Sequence, residues 1–395
     1  MNTIEKTDAY IMNTYNRMPA VFVRGQGARL WDDQGKVYHD FLAGIAVCNL
    51  GHAHPEVTQA VSRQAARLVH VSNLYYSEPQ ARVAELLVSS SFTEKVFFCN
   101  SGAEANECAL KISRLWGKEK LNGAYKVIAM QGSFHGRTMA TLAATGQSRI
   151  QAGFSPLLPE FIHVPYGDAK ALEKALGPEV CAVILEPVLG EGGVVTPPPQ
   201  YLRQVRDLCD QRNLLMILDE IQTGLGRTGR MFAHEHFAVT PDIMTLAKAL
   251  AGGLPAGAAC AGTKASSLLK PGMHASTFGG GPVVMAAAAA VLETLLAPGF
   301  LETVRRKGLL LNNGLTDLIK KYPSRLRQAR GLGLMIGLEW ADKADAEKIQ
   351  RAMWDKGFII NRTQGRVLRL VPPLVVEDEQ IDRLLLELDA STGEL

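Results

Sequence analysis

The strongest constraint on this chain is a set of short apolar runs set between segments with helical spacing. "KVFFCN" (95–100), "YKVIAM" (125–130), "EVCAVILEPV" (179–188) and "LLMILDE" (214–220) each have the length of a strand. A helix pattern opens at Gly102, and another runs from about Tyr201 to Arg212. Buried strands alternating with helices predict an α/β fold around a mostly parallel central sheet. Ligands of such sheets bind beyond the carboxyl ends of the strands, so residues just after these runs are the first candidates for chemistry.

The flanks read differently. The first fifty residues carry hairpin-like strands with turn signals at QG and DDQG. From about Gly299 a long polar helix (302–321) leads into the strand-like "LGLMIGLEW" and "RVLRLVPPL" and a terminal amphipathic helix. That order predicts a smaller α+β domain at the C-terminal end, as expected for a chain of 395 residues.

Composition removes several function classes. The net charge is +3 with no long basic run, which argues against nucleic-acid binding. "PVVMAAAAAVLETLL" (282–296) is short, alanine-rich and interrupted by Glu293, and reads as a buried helix rather than a membrane span. The N-terminal stretch lacks the apolar core of a signal peptide, and its acidic residues do not suit a mitochondrial transit sequence. The six cysteines form no CxxC pair, so a cytoplasmic protein without a disulfide or zinc framework is expected.

Four places could carry chemistry. Lys248 is the only charge in "TLAKALAGGLPAGA" (245–258). It is either a snorkelling lysine near the end of a short helix or a desolvated amine that serves as a nucleophile. In "CNSGAEANECAL", Ser101 and Glu104 match a capping box, while the amides around Gly102 and Ala103 could instead bind a phosphate. Asp219 ends an apolar strand, where a buried carboxylate needs a cation, and a protonated pyridine nitrogen would serve. In "GSFHGRT", Phe134 could stack on a planar ring and Arg137 could clamp a carboxylate, while His135 reads as a satisfied loop histidine.

Other patterns carry less. Gly224, Gly226 and Gly229 match GxGxxG without the helix or acidic residue a dinucleotide site needs. "LLMILDE" resembles the metal-binding strand of an ATPase, but no GxxxxGK[ST] accompanies it. The pairs His52/His54 and His234/His236 have no third ligand at a convincing spacing, so no metal site is expected.

Taken in order, "NSGAEANE", "FHGRT…ATGQ", "EPVLGEGGV", "LDEIQTGLGRTG", "PDIMTLAKALAGGLPAGA", "STFGG" and "LRLVPPL" resemble the class III, fold-type I aminotransferases, which use pyridoxal 5′-phosphate. The resemblance runs from about Tyr15 to Pro373. It implies an N-terminal segment (1–55) packed with the small domain, a large cofactor-binding domain (56–298) and a small α+β domain (299–395). It also implies a homodimer with shared active sites.

By the same resemblance, Lys248, Asp219 and Glu191 carry the reaction, with Lys248 holding the cofactor through its amine and then moving the proton. Ser101, Gly102 and Ala103 would hold the phosphate, joined by Thr277 from the second subunit. Phe134 would stack on the ring, and the Asp219, Glu220, Ile221, Gln222 stretch would line its other edge, with Gln222 approaching the phenolic oxygen. Arg137 and Arg369 would clamp the two carboxylates of glutamate, Ser276 would contact the other substrate, and Glu191 would pair with Arg369 when no carboxylate is there.

The implied reaction moves the δ-amine of N2-acetyl-L-ornithine to 2-oxoglutarate, giving L-glutamate. Succinylornithine, N-succinyl-diaminopimelate, 4-aminobutyrate and ornithine are the alternative amines. Two departures from the family pattern are Gly281 at the usual asparagine position and the alanines of "ALAGGLPAGA", where bulkier residues or glycine are common. Ile45 stands where ornithine-specific members place a tyrosine, and this leans towards an acylated substrate.

Overall fold

The run at 179–188 supplies a strand, Val180–Leu185, in which every residue is buried. A strand with no solvent-facing side must be covered on both faces, and continuous apolar sequence is what that requires. The computed structural model describes residues 1–395. Its strands are β1 (Phe22–Gln26), β2 (Arg29–Asp32), β3 (Val37–Asp40), β4 (Lys95–Cys99), β5 (Lys126–Met130), β6 (Phe161–Val164), β7 (Val180–Leu185) and β8 (Leu215–Asp219). They continue with β9 (Ile243–Leu246), β10 (Gly257–Ala261), β11 (Leu326–Leu332), β12 (Met335–Trp340), β13 (Phe358–Ile359), β14 (Asn361–Thr363) and β15 (Val367–Leu370).

The central sheet has the order β4-β10-β9-β8-β7-β5-β6. All its strands run parallel except β10, which is antiparallel to both β4 and β9. The predicted α/β fold with a mostly parallel sheet is therefore the one observed. Its consequence for function is geometric: the carboxyl ends of β4, β5, β7, β8 and β9 lie along one edge. Helices Gly102–Lys120 and Pro282–Leu296 pack beside this sheet, the latter as the buried alanine-rich helix read from the sequence.

Of the two readings of Lys248, the snorkelling one does not match the local structure. Lys248 does not sit near the end of a helix but opens a 3-10 turn, Lys248–Ala251, directly after β9. The following Gly252 and Gly253 have φ of +60° and +119°, which ends the turn after one cycle.

A second sheet, β11-β12-β15-β14, is antiparallel throughout and is flanked by helices Phe300–Lys321 and Lys343–Asp355, with Asp378–Gly393 packed against both helices. The N-terminal strands form a third sheet, β1-β2-β3-β13, in which β3 runs parallel to β13. The N-terminal segment is thereby paired with the C-terminal part of the chain.

The glycine-rich stretch after β8 is a tie between these parts. Arg227 is 0 % exposed and has no carboxylate partner. Its Nη1 donates to Leu334 O (3.0 Å) and Pro372 O (2.5 Å), and its Nη2 donates to Asn49 Oδ1 (2.5 Å). Asn49 answers by donating Nδ2 to Leu225 O at 2.8 Å. Replacing Arg227 by methionine keeps most of the volume but leaves these acceptors unpaired. We expect Arg227→Met to lose about 3 kcal/mol of unfolding free energy, read as a lower denaturant midpoint. An unchanged midpoint would show that the tie is dispensable.

Candidate active site

The loops leaving the strand ends on one edge converge on a cavity of about 420 Å³. After β4 come Asn100 to Ala103, after β5 Phe134 to Arg137, after β7 Glu186 and Glu191, after β8 Asp219, Ile221 and Gln222, and after β9 Ala247 and Lys248. Val47 from the N-terminal segment and Leu254 to Ala256 before β10 complete the wall.

Lys248 lines this cavity and is largely buried. Burial pushes its amine below the ordinary lysine value, the Glu191 carboxylate opposes that shift, and the Arg369 guanidinium adds to it. A buried amine favoured in its neutral form can act as a nucleophile or base.

The helix Gly102–Lys120 aims its N-terminus at the cavity. The Ser101 hydroxyl accepts from Glu104 N at 3.2 Å. The Glu104 carboxylate returns to Asn100 N at 2.6 Å, one residue before the position a reciprocal capping box needs. The first ladder bond is Ala105 N to Ser101 O, so the amides of Gly102 and Ala103 precede it and point out of the helix end. A Cβ on Gly102 would lie 2.6 Å from Ile221 Cδ1, which is why this helix start can approach the end of β8 so closely.

Asp219 is buried and held by neutral or weakly basic groups. Its Oδ2 accepts from Asn106 Nδ2 at 2.8 Å and meets His135 Nδ1 at 2.8 Å, and its Oδ1 accepts from Ile221 N at 3.1 Å. Thr245 fixes Asn106 by donating to its Oδ1 at 2.7 Å. His135 is thus not a simple loop histidine. It lines the cavity, braces Asp219, and leaves a buried Nε2 without a partner.

Arg369, on β15, is 0 % exposed. Its Nη1 donates to Glu191 Oε1 at 2.5 Å and to Gln222 Oε1 at 3.1 Å, and its Nε donates to Asn361 Oδ1 at 3.1 Å. The Nη2 group is buried with no acceptor. Burial works to raise the Glu191 carboxyl, but the Arg369 charge and hydrogen bond overcome it and hold the group below the usual carboxylate range. At the mouth, the exposed Arg137 guanidinium stands 5.7 Å from the centre of the Phe134 ring, with no carboxylate beside it.

Three expected site residues lie elsewhere. Glu220 points to the far side of the strand end, where its carboxylate accepts from Ala233 N (2.6 Å) and His234 N (2.8 Å). Successive side chains on a strand alternate, so Asp219 and Glu220 cannot both face the cavity. The Ser276 hydroxyl accepts from Asn100 Nδ2 (3.1 Å) and Gly279 N (3.0 Å), and Thr277 is exposed; neither lines this chain's cavity. Gln222 does line it, but its oxygen is engaged by Arg369.

Glu186 was missed by the sequence reading, although it directly follows the buried β7. It accepts from Phe134 N and Gly190 N, both at 3.0 Å, and burial pushes its carboxyl up to about 7. Three of the four histidines in the two HxH pairs find separate partners, and His54 leaves its buried Nδ1 without one. His52 meets Asp40, His234 meets Val239 O, and His236 meets Thr228.

The donor set fits pyridoxal 5′-phosphate. Free amides at a helix start suit the phosphate, a braced carboxylate suits a ring N–H, an aromatic side chain suits the ring face, and a buried amine suits the carbonyl. Known proteins agree. The model of the class-III aminotransferase family matches residues 10–391. The chain is 49% identical to the acetylornithine aminotransferase of Caldanaerobacter subterraneus subsp. tengcongensis, over 100% of both chains. It is 48% identical to that of Methanopyrus kandleri, over 98% of each. Among solved structures, ornithine aminotransferase from Toxoplasma gondii matches with a TM-score of 0.95 at 35% identity, covering 99% of this chain and 94% of that one. N-acetylornithine aminotransferase from Stenotrophomonas maltophilia matches at 0.85 and 37%, covering 99% and 98%. The chain therefore belongs to the class-III aminotransferases and is a pyridoxal-phosphate-dependent enzyme of fold type I.

Proposed function

We propose that the enzyme transfers the δ-amino group of N2-acetyl-L-ornithine to 2-oxoglutarate, giving N-acetyl-L-glutamate 5-semialdehyde and L-glutamate, in the cytoplasm and as a step of arginine biosynthesis. The observation that carries this reading is the Arg369–Glu191 pair, a buried cation whose partner sits on a loop and whose second N–H group has no acceptor. The curated relatives named above support the choice of substrate.

Pyridoxal 5′-phosphate, when bound, supplies the electron sink that allows an amine to be exchanged for a carbonyl. The chain does the rest. The amides of Gly102 and Ala103 receive the phosphate at the positive end of their helix. Asp219 would hold a proton on the ring nitrogen, and His135 and Asn106 keep Asp219 aimed. Phe134 covers one ring face. Lys248 Nζ would take the proton from the substrate carbon that bears the amine and give it back later in the exchange, a task suited to an amine whose pKa burial lowers.

Arg369 handles the two substrates in turn. When glutamate enters, its α-carboxylate takes the place of Glu191 on Arg369 while Arg137 receives the distal carboxylate. When acetylornithine enters by its amine end, Glu191 stays on Arg369 and spares a buried cation from standing alone. Ser276 is one bond away from cavity-lining Asn100 and would contact the acylated end through that edge. Thr277, exposed here beside the 68 % exposed Phe278, would reach the phosphate of a second copy. We therefore place the enzyme as a homodimer with shared sites, and assign the large domain to 56–298 between the N-terminal segment (1–55) and the small domain (299–395).

The structural likeness to ornithine aminotransferases favours free ornithine as a second reading. Adding each amine separately to the holoenzyme and following the cofactor's visible absorbance decides between them. We expect N2-acetylornithine to convert it faster than ornithine, succinylornithine or 4-aminobutyrate; faster conversion by ornithine would overturn the substrate choice.

Glu191→Gln should lower kcat/KM for acetylornithine by roughly thirtyfold, about 2 kcal/mol, because Arg369 loses its counter-charge while glutamate brings its own. Equal losses for both substrates would sink the switching role.

Lys248 gives a stability test. Its folded-state pKa lies below the ordinary 10.5, so folding releases a proton below that pH and the wild-type apoprotein gains stability as pH rises towards it. Lys248→Met should be the more stable apoprotein near neutrality, with the difference shrinking as pH approaches 10.5. A pH-independent difference would mean that the amine is not desolvated.

A further inference from the structure

Residues 43–46 adopt a conformation that L-amino acids avoid. Ala43, Gly44, Ile45 and Ala46 have φ of +51°, +64°, +69° and +59° in succession. Ala46 N bonds Leu42 O at 3.0 Å and Val47 N bonds Ala43 O at 2.8 Å, so the segment is one turn of left-handed α-helix. Only Gly44 is at ease there; Ala43, Ala46 and above all β-branched Ile45 are not. Such strain persists only where neighbouring groups impose it, and it concentrates at functional sites.

The imposing group is Asp40, the last residue of β3 and almost wholly buried. Its Oδ1 accepts from both Leu42 N (2.9 Å) and Ala43 N (2.8 Å), which fixes the entry to the turn. Its Oδ2 meets His52 Nε2 at 2.7 Å. The Asp40 hydrogen bond raises His52 to about 9, making it a cation at neutral pH and the counter-charge of this buried carboxylate. The main chain of His52 is itself locked to Gly27 by two hydrogen bonds, of 2.8 and 3.0 Å.

What the turn supports is the recognition site. Ala46 packs in one apolar cluster with Val188 and Val194, which flank Glu191 on both sides, and with Val371, two residues past Arg369. Phe41 O accepts from Val371 N at 2.9 Å, and Val47, the residue after the turn, lines the cavity. Arg369 has its own anchors in Asn361 and Gln222. The Glu191 loop is held on one side by Arg330, which donates to Gly193 O and Val194 O, and by Gln364, which donates to Glu191 O, and on the other by its packing against the turn.

We propose that Asp40 and His52 are positioning residues for substrate selection: they clamp the left-handed turn Ala43–Ala46, and the turn holds the Glu191 loop where Glu191 can cover Arg369. This rests on the switching role assigned to Glu191 above. Loosening the clamp removes the turn's side of the loop's support and frees Val188 and Val194 to shift, while Arg369 keeps Asn361 and Gln222, so the half-reaction that needs Glu191 suffers and the one that displaces it does not.

The test uses holoenzyme variants Asp40→Asn, His52→Ala, His52→Gln and Glu191→Gln, normalised to bound cofactor. Two quantities are read: the ratio of kcat/KM for N2-acetylornithine to that for glutamate, and the dissociation constant of unreactive glutarate. We expect Asp40→Asn and His52→Ala to lower the ratio by about tenfold or more, in the direction of Glu191→Gln, while glutarate binds at least as tightly as before. His52→Gln, which keeps a donor for Asp40, should stay within about threefold of wild type. If Asp40→Asn does not fold, the His52 pair gives the same reading alone.

An unmoved ratio in Asp40→Asn and His52→Ala, with Glu191→Gln shifted, overturns the clamp and spares the switch. Loss of both rates together with glutarate affinity also overturns it, because that is general damage. An unmoved ratio in Glu191→Gln brings down the switching role and the clamp with it.

Discussion

A guanidinium buried without any carboxylate in contact holds this enzyme's parts in register. Taking the Arg227 charge out of water is costly, and here carbonyl-type oxygens compensate it in contact while the Asp40 charge helps from further away. They come from Asn49 in the N-terminal segment and from Leu334 and Pro372 in the C-terminal part, while Arg227 itself belongs to the loop after β8. A planar fork of five N–H donors can reach three acceptors in different directions, which neither lysine nor any apolar residue of that size can do. The active site needs this because its two ends are built on different sheets. Lys248 and Asp219 stand on the central sheet and Arg369 on the C-terminal one. A slip of an ångström between the sheets would separate the group that recognises a carboxylate from the group that moves the proton.

Within the cavity, each charge is set by what burial leaves for it. Lys248 has no carboxylate in hydrogen-bond contact, so desolvation dominates and the amine moves towards neutrality. Glu191 is nearly as enclosed, yet Arg369 is in contact and the carboxylate stays ionised. Asp219 accepts from two side chains and an amide, while Glu186 accepts only from two amides and burial pushes its carboxyl up to about 7. One small volume thus holds an amine that burial shifts downward, a carboxylate braced by hydrogen bonds and a paired switch, with contact geometry making the difference.

Much of this could be read from the sequence, and the rest had physical reasons to be hidden. The strands at 95–100, 125–130, 179–188 and 214–220 were legible because burial on both faces demands continuous apolar residues. β10, "GAACA", was not, because it is hemmed between β4 and β9 and has room only for small side chains. A Cβ on Gly257 would lie 2.4 Å from Ser101 O. β6 and β9 have four residues each, too few to show a period. At the site, Lys248, Asp219 and Arg369 stood out through their odd neighbours or a motif, whereas Asn106 and Thr245 act only through contacts across 113 and 139 positions of chain. The orientation of Glu220 was recoverable in principle from strand alternation. Arg227 was not, since nothing local distinguishes a buried arginine from an exposed one.

The unsatisfied Nη2 of Arg369 ties recognition to energetics. A site that bound Glu191 with every donor filled would resist the entry of a substrate carboxylate, since each bond broken inside the protein must be replaced. With Glu191 holding Arg369 through one nitrogen, the pair is left short of the two-point contact that a carboxylate can make with an arginine fork. An incoming α-carboxylate can offer that second contact, and the difference between one-point and two-point pairing is the driving force for displacement. The incomplete pair is therefore what allows a single buried cation to serve one substrate that carries a carboxylate and another that does not. It also explains why the loop carrying Glu191 must be held so closely: brought nearer it would close the fork, and moved away it would leave the charge bare.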